Sequence, residues 1–350
     1  MRKVILITLA LCLLLPAVLT GCSGGAGSAG VVHVHNWGEY IDESVFRIFE
    51  RETGIKVNYS TFETNETLYS TMRHGGANID VIIPSDYMIA RMIEEDMLSE
   101  LDFSNIPNFS LIDERYKNLN YDPDNKFSVA YMTGTVGLIY NSSKISDNIT
   151  SWGSLFNDSY SGQILMFDNP RDAFGIALKY LGYSLNTINE EEIYEAFALL
   201  DRQRPILQAY VMDQIFDKLE SGEAWIGPYY AGDFLVMQEN NPDLRFVRPS
   251  EGTNYFVDAM CIPKDVQNKE NAEQFINFMS RTDIALMNME YIMYASANFE
   301  AAQQFADELS PEEYAIMFAS YEVLANSEIF YNLPRSILEL YGELWVELKR

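Results

Sequence analysis

The sequence predicts an α/β fold with two lobes and a ligand cleft between them. Segments typical of strands and helices alternate from residue 31 to about residue 95, and a second alternating set begins near residue 163. This alternation favours parallel sheets that are covered by helices and joined by right-handed crossovers. Two apolar extended runs, 131–140 and 256–262, connect the two sets. Two crossovers of this kind are typical of a hinge between lobes.

The first lobe is predicted from three strand-helix units. Apolar residues that alternate with polar ones, or form short runs, indicate strands, and apolar residues three and four positions apart indicate helices. The predicted elements in chain order are strand 31–34, helix 45–49, strand 55–60, helix 68–72, strand 79–83 and helix 88–93. Asp42 is suited to cap the first helix and Gly54 to end it, and residues 63–67 supply capping side chains for the second.

The second lobe is predicted from the segments that follow the first extended run. We expect strands at 163–167, 224–226 and 244–247, and helices at 174–181, 190–200 and 213–219. Later amphipathic segments predict helices at 272–278, 311–324 and 336–348. Because the chain crosses between the sets twice, we predict that lobe 1 comprises 31–134 with 258–302 and that lobe 2 comprises 135–257 with 303–350.

The N-terminus has the pattern of a secreted lipoprotein. Arg2 and Lys3 precede an apolar stretch, 4–19, which has the length of a signal-peptide core and is short for a membrane span. The stretch leads into Leu19-Thr20-Gly21-Cys22, which resembles a bacterial lipobox. We therefore predict a signal peptide at 1–21, a lipidated Cys22 and a flexible Gly/Ser/Ala-rich tether at 22–30. An ordinary secretory signal followed by an incidental cysteine is the alternative.

This N-terminus and the overall charge limit where the protein works and what it binds. The folded part is expected outside the cytoplasmic membrane, in the periplasm or on the outer face of the cell membrane, with Cys22 as its only membrane contact. A formal net charge of -27 repels nucleic acid and attracts cations, although the acidic residues could serve solubility alone. Cys12 leaves with the signal peptide, so Cys261 has no intramolecular disulfide partner and is expected to be a small buried residue.

Aromatic residues and carboxylates recur together where predicted strands end. Trp37, Glu39 and Tyr40 follow the first strand, and comparable groups lie near Ser85, near Asp172, near Tyr229, near Asp258 and near Tyr294. Each group alone is explained as well by core packing and solvated charge. Six groups at the margins of both lobes favour a cleft for an organic cation, because carboxylates pair with ammonium groups and aromatic faces attract positive charge.

Several motifs carry a resemblance to a known family. They include Asn36-Trp37-Gly38-Glu39-Tyr40, Glu52-Thr53-Gly54-Ile55-Lys56-Val57, Pro84-Ser85-Asp86-Tyr87, Arg171-Asp172-Ala173-Phe174 and Val257-Asp258-Ala259-Met260. With these motifs the chain resembles the extracytoplasmic spermidine/putrescine-binding proteins of bacterial ABC importers. The resemblance implies a type II periplasmic-binding-protein fold, a polyamine held between the lobes, ABC permease subunits as partners, a monomer, no enzymatic activity, no cofactor and no metal.

The resemblance also implies a set of ligand-binding residues. Its members are Trp37, Glu39, Tyr40, Ser85, Tyr87, Asn169, Arg171, Asp172, Tyr229, Phe256, Asp258 and Tyr294. A guanidinium does not favour a cation directly, so Arg171 is interpreted as orienting a carboxylate or meeting a ligand-bound water. The chain departs from the family pattern at Tyr229 and Phe256, where tryptophan is common, and at Asn169, where aspartate is common. These departures leave the choice between spermidine and putrescine open.

Three alternative functions remain at this stage. A sugar- or peptide-binding protein would have the same fold. A ferric-ion-binding protein could use Tyr229 and Tyr230 with His33 or His35. A secreted glycoside hydrolase could use Asp172 and Asp258 as acid and base, with aromatic residues as sugar platforms.

Overall fold

The computed structural model describes residues 30–75 and 78–350. The predicted signal peptide, Cys22 and all but the last residue of the predicted tether lie outside the described residues. Within the described ranges, no helix has the length and apolar character needed to cross a membrane.

Eleven strands and thirteen α-helices form the described part of the chain. The strands are β1 Val31–Trp37, β2 Lys56–Phe62, β3 Val81–Ile82, β4 Ser128–Asn141, β5 Ile164–Phe167, β6 Leu207–Val211, β7 Ile226–Tyr230, β8 Leu244–Val247, β9 Thr253–Cys261, β10 Ala295–Ser296 and β11 Ser327–Glu328. The helices are α1 Ser44–Thr53, α2 Asn65–Arg73, α3 Asp86–Glu94, α4 Pro170–Leu181, α5 Glu190–Gln203, α6 Ile215–Glu220, α7 Ala231–Asn240, α8 Lys269–Met279, α9 Thr282–Ile292, α10 Phe299–Ala306, α11 Pro311–Met317, α12 Tyr321–Ala325 and α13 Arg335–Leu348.

The sheet has parallel strands at its two ends and antiparallel strands in its centre. Its main order is β2-β1-β3-β9-β4-β7-β5-β6. β1 is parallel to β2 and β3, and β5 is parallel to β6 and β7. The predicted extended runs are β4 and β9, which pair with each other in antiparallel orientation. The α/β class is therefore confirmed, while the purely parallel sheet expected from the first units is limited to the two ends.

The long strand β4 connects the two parallel groups. Residues 128–135 pair with β9, and residues 136–141 pair with β7 and β8. Since β9 pairs in turn with β3, one continuous β4 contributes to both halves of the sheet. The ends of the outer parallel strands consequently face each other across the centre of the molecule.

Local signals explain most of the observed helix boundaries. The Asp42 carboxylate accepts a hydrogen bond from the Ser44 amide at 2.8 Å, and Gly54 ends α1 with a φ of 76°. Thr64 and Thr67 form a reciprocal capping box at the start of α2. The side chain of Cys261 is fully buried, as expected.

Some elements differ from the sequence prediction. The helix expected over 311–324 is two helices, because Phe318 is extended and the Ser320 side chain caps a new helix by accepting from the Val323 amide. The strand expected at 224–226 lies at Ile226–Tyr230, where Pro228 obscures the strand pattern. Six further elements, β6, β10, β11, α7, α9 and α10, are absent from the prediction.

Candidate functional site

A pocket lies where the carboxyl ends of the outer parallel strands meet, which is the usual ligand site of open α/β folds. The non-atom space of the pocket, counted out to its open mouth, is about 740 Å³. Eleven of the twelve predicted ligand-binding residues line it: Trp37, Glu39, Tyr40, Ser85, Tyr87, Asn169, Asp172, Tyr229, Phe256, Asp258 and Tyr294. The twelfth, Arg171, does not.

Ten aromatic side chains form much of the pocket lining. The Trp37 indole donates a hydrogen bond to the Ile83 carbonyl at 2.8 Å, and its ring lies 4.5 Å from the ring of Phe62. Tyr40 and Tyr294 meet edge to face at 5.0 Å. These contacts fix the rings, so a flexible ligand would meet preformed surfaces.

Seven carboxylates also line the pocket, and none of the described lysine or arginine residues does. The carboxylates belong to Glu39, Glu63, Asp86, Asp172, Asp213, Asp233 and Asp258. Grouped negative charge with low-dielectric aromatic walls focuses a field that attracts cations. The chemistry of the lining is therefore suited to a ligand with several positive charges and an apolar body.

Asp258 lies on β9 in the centre of the site and is 4% exposed. Its Oδ2 accepts a hydrogen bond from the Tyr40 hydroxyl at 2.7 Å, and its Oδ1 has no protein partner. Burial raises the pKa of this carboxyl to about 6, although the nearby Ser85 and Tyr40 side chains oppose the rise. Asp258 therefore has a buried acceptor oxygen that no protein group satisfies.

Asp172 and Asp233 add negative charge from the other half of the sheet. Burial raises the pKa of Asp233 to about 8, although the Tyr294 hydroxyl donates to its Oδ2 at 2.7 Å. Burial, followed by the nearby charge of Glu66, raises the pKa of Asp172 to about 7. In both cases the ionised form lacks enough positive partners within the protein.

Asp86 differs from the other buried carboxylates of the pocket in that backbone amides donate to both of its oxygens. Its two oxygens accept hydrogen bonds from the amides of Tyr87 and Val257 at 2.7 and 3.2 Å. Burial raises its pKa to about 8, and those two backbone bonds oppose the rise. Asp86 thus helps to join the start of α3 to β9 in the wall of the pocket.

Three residues near the site have placements that the sequence did not reveal. The Asn169 side chain accepts from the Arg171 amide and caps α4, although it also lines the pocket. Asp168, its neighbour, instead pairs with Lys349 at 2.6 Å. Glu39 is exposed at the pocket mouth with a φ of 46°, which is uncommon for a residue with a side chain.

Several lining residues were not predicted as ligand-binding. They are Gly38, Phe62, Glu63, Asn65, Asp86, Met212, Asp213, Phe216, Tyr230, Asp233, Asn254 and Phe330. Asp86 and Tyr230 belong to clusters that the sequence did show. Asp233 is in the first turn of α7, directly after β7, so recognising that helix would have indicated it.

The geometry does not favour a ferric site that includes the histidines. His33 Nδ1 lies 2.9 Å from Asp80, and His35 Nδ1 lies 2.8 Å from Ser60. Neither histidine lines the pocket. Within residues 30–75 and 78–350, no group of three or more histidine, cysteine or acidic side chains is arranged to hold a metal ion.

Comparisons with known proteins find similar sequences and similar structures. Residues 44–318 match the family model described as bacterial extracellular solute-binding protein. The spermidine/putrescine-binding periplasmic protein of Escherichia coli K12 is 31% identical over 326 residues, which cover 93% of each chain. A solved structure from Listeria monocytogenes shares 38% identity with a TM-score of 0.86, covering 91% of this chain and 98% of that one. The spermidine/putrescine ABC transporter substrate-binding protein PotD from Streptococcus pneumoniae shares 34% identity with a TM-score of 0.76 and the same coverage.

Proposed function

The chain belongs to the bacterial extracellular solute-binding protein family, and we propose that it binds a polyamine, spermidine or putrescine, for an ABC importer. The observation that carries this function is the pocket lining, in which seven carboxylates and ten aromatic side chains occur without a lysine or arginine among the described residues. The protein passes its ligand to permease subunits and turns over nothing.

The pocket chemistry matches a polyamine better than the alternatives. Asp258, Asp172 and Asp233 supply charged acceptors for ammonium groups, and the aromatic rings cover the methylene chain. A neutral sugar would leave the buried carboxylates without positive partners, which is unfavourable. The same argument applies to the substrate of a glycoside hydrolase.

The proposed binding movement is closure of two lobes. We assign 31–134 with 258–302 to lobe 1 and 135–257 with 303–350 to lobe 2. In support, the Tyr294 hydroxyl of lobe 1 donates to Asp233 of lobe 2 at 2.7 Å, so the pocket is completed by both lobes. A ligand that touches both lobes favours the closed form, which then presents a distinct surface to the permease.

The remaining assignments concern location. We propose that the protein works as a monomer outside the cytoplasmic membrane, anchored through a lipidated Cys22. The match to an extracellular family and the periplasmic relatives support the location. The anchor rests on the sequence around Cys22.

Titration calorimetry of the purified protein tests the ligand class. We expect saturable one-to-one binding of putrescine, spermidine or both, and no binding heat with maltose or ferric citrate. The physical reason is that only the polyamines bring several positive charges to the acidic lining. Saturation by maltose or ferric citrate, with no response to either polyamine, would reject the proposal.

Gly232 provides a prediction about lobe closure. A Cβ at this position would overlap the ring of Tyr294, which packs directly against the glycine from the other lobe. We expect G232A to weaken polyamine binding about five- to 150-fold. The reason is that the added methyl group overpacks mainly the closed form and destabilises it by about 1 to 3 kcal/mol. Calorimetric dissociation constants check this result.

The matched control for this substitution is G342A. Gly342 lies in α13, and a Cβ there would meet no other atom within 4 Å. Alanine is expected to raise the free energy of unfolding by up to about 1 kcal/mol and to leave polyamine affinity unchanged. Equal affinities for G232A and the unmodified protein would contradict the closure argument.

A further inference from the structure

Arg171 is a buried cation that lies beside the pocket without lining it. Its side chain is on the first turn of α4 and is 2% exposed. Nη1 donates to the Tyr331 carbonyl at 3.2 Å, Nη2 makes a long hydrogen bond to Asn186 Oδ1 at 3.5 Å, and Nε has no hydrogen-bond partner. Among the described residues, no carboxylate forms an ion pair with this guanidinium. A buried charge with so few polar partners needs another source of stabilisation.

Aromatic rings provide that source. The guanidinium carbon lies 5.0 Å from the centre of the Tyr87 ring, 4.5 Å from that of Phe330 and 5.9 Å from that of Tyr341. All three rings are at least nine-tenths buried, and desolvated cation–π contacts are the stronger ones. Ring faces therefore contact Arg171 directly, in addition to the longer-range attraction from the carboxylates of Glu66 and Asp172.

These rings come from both proposed lobes. Tyr87 belongs to lobe 1, whereas Arg171, Phe330 and Tyr341 belong to lobe 2. Tyr87 also meets Phe330 edge to face at 5.7 Å, and its hydroxyl donates to Glu66 of lobe 1 at 3.0 Å. Tyr87 is thus fixed by its own lobe at the hydroxyl and by the other lobe at the ring. Because Tyr87 lines the pocket, its orientation and the lobe contact are linked.

We propose that Arg171 is a positioning residue that holds the two lobes together through Tyr87 and does not contact the ligand. Arg171 and Phe330 contact the Tyr87 ring, and Tyr341 packs against the guanidinium of Arg171; this group is here called the Tyr87 clamp. The clamp forms only when the lobes approach, so it stabilises the closed form and presents the Tyr87 ring to the ligand. This inference rests on the proposed polyamine function.

The sign of the effect on affinity distinguishes the clamp from a charge effect. If Arg171 acted only through its charge, its removal from the side of an acidic pocket would strengthen binding of a polycation. If it acts through the clamp, its removal weakens binding, because the closed form loses contacts between the lobes. Lysine keeps the charge but lacks the planar group that stacks on rings, so it is a second discriminating substitution.

The experiment measures putrescine and spermidine affinity by calorimetry for R171M and R171K. We expect R171M to bind both polyamines about tenfold more weakly and R171K to bind them several-fold more weakly. In small-angle scattering with saturating polyamine, both variants should have a larger radius of gyration than the unmodified protein, because their closed form is less stable. R171K provides an independent test of the clamp if R171M does not fold.

The matched control is R91M. Arg91 lies 3.7 Å from the ring centre of Tyr69, and both residues belong to lobe 1, so this cation–π contact does not join the lobes. R91M should retain affinity and radius of gyration. Tighter or unchanged binding by R171M, or unchanged binding by R171K, overturns the clamp. Absence of polyamine binding by the unmodified protein would instead reject the proposed function.

Discussion

Asp258→Asn is expected to weaken polyamine binding by about 2 to 5 kcal/mol, which is roughly 30- to 5,000-fold. Asparagine keeps the size of the side chain and can still accept from the Tyr40 hydroxyl, which donates to Oδ2 at 2.7 Å. What it removes is the negative charge on a buried group whose Oδ1 has no protein partner. An ammonium group brought into the closed pocket would then lack its counter-charge. Calorimetry with putrescine and with spermidine measures the loss.

Stability measurements separate this effect from misfolding. Burial raises the pKa of Asp258 to about 6, so the ionised carboxylate disfavours the ligand-free folded state at pH 8. Removing that charge should leave the ligand-free free energy of unfolding at pH 8 unchanged or higher. Weak binding together with undiminished stability would locate the loss in the ligand contact. Unmodified affinity in D258N would remove Asp258 from the site.

Asp122→Asn is the control for the loss of a buried carboxylate outside the pocket. Asp122 is 3% exposed, and its oxygens accept from the Lys126 and Phe127 amides and the Ser128 hydroxyl. Substitution should lower the free energy of unfolding by about 1 to 3 kcal/mol, because a buried hydrogen-bond partner is lost. Polyamine affinity should remain unchanged. The pair of variants thus shows opposite patterns of affinity and stability.

The sequence was most informative where function depends on residues at strand ends. Trp37 ends β1 and Ser85 closely follows β3, so recognising the strands was enough to place these residues at one edge of the sheet. Asp258 instead lies within β9, and its place in the site was indicated by the family resemblance. Strand order between distant segments, such as the β3–β9 pairing, is set by long-range packing that local periodicity does not show.

There are physical reasons why the sequence analysis did not identify some of the residues that line the pocket. Asp213 follows β6, a strand that is absent from the prediction, and Asp233 begins α7, which follows β7 without a loop. The family resemblance placed Arg171 in the polar part of the ligand-binding set, where it would orient a carboxylate or meet a ligand-bound water. On a helix, however, adjacent residues point in different directions, and the side chain of Arg171 packs on rings beside the pocket while Asp172 lines it.

The pocket lining suggests a functional reason for part of the negative net charge. A formal charge of -27 is explained by solubility alone as readily as by ligand attraction. Seven carboxylates in one pocket, several of them buried, are not explained by solubility, because burying charge is unfavourable without a partner. The buried carboxylates of the pocket therefore lack positive partners until a cation binds. We expect the affinity for a cationic ligand to depend on pH for this reason.

Polyamine affinity is expected to rise with pH between about pH 5.5 and pH 8.5. The ligand-free pKa values are about 6 for Asp258, about 7 for Asp172 and about 8 for Asp233, so part of this set is protonated near neutral pH. Bound ammonium groups favour the ionised forms, so binding releases protons. We expect at least about a tenfold increase in putrescine affinity across this interval, where primary amines with pKa values near 10 stay charged. Calorimetry in buffers of different ionisation enthalpy counts the protons released.

The same shifts determine how the ligand-free protein responds to pH. In a carboxyl of this kind the folded-state pKa lies above the ordinary value near 3.8. Such a carboxyl stabilises the folded protein when the pH is below 3.8, and this stabilisation is lost as the pH rises through the folded-state pKa. The contribution of these three residues to the melting temperature should therefore fall from about pH 5.5 to pH 8.5. Bound polyamine restores the missing positive charge, so the ligand-induced rise in melting temperature should be larger at pH 8.5. Equal affinity and an equal thermal shift at both pH values would show that these carboxylates do not face the ligand's ammonium groups.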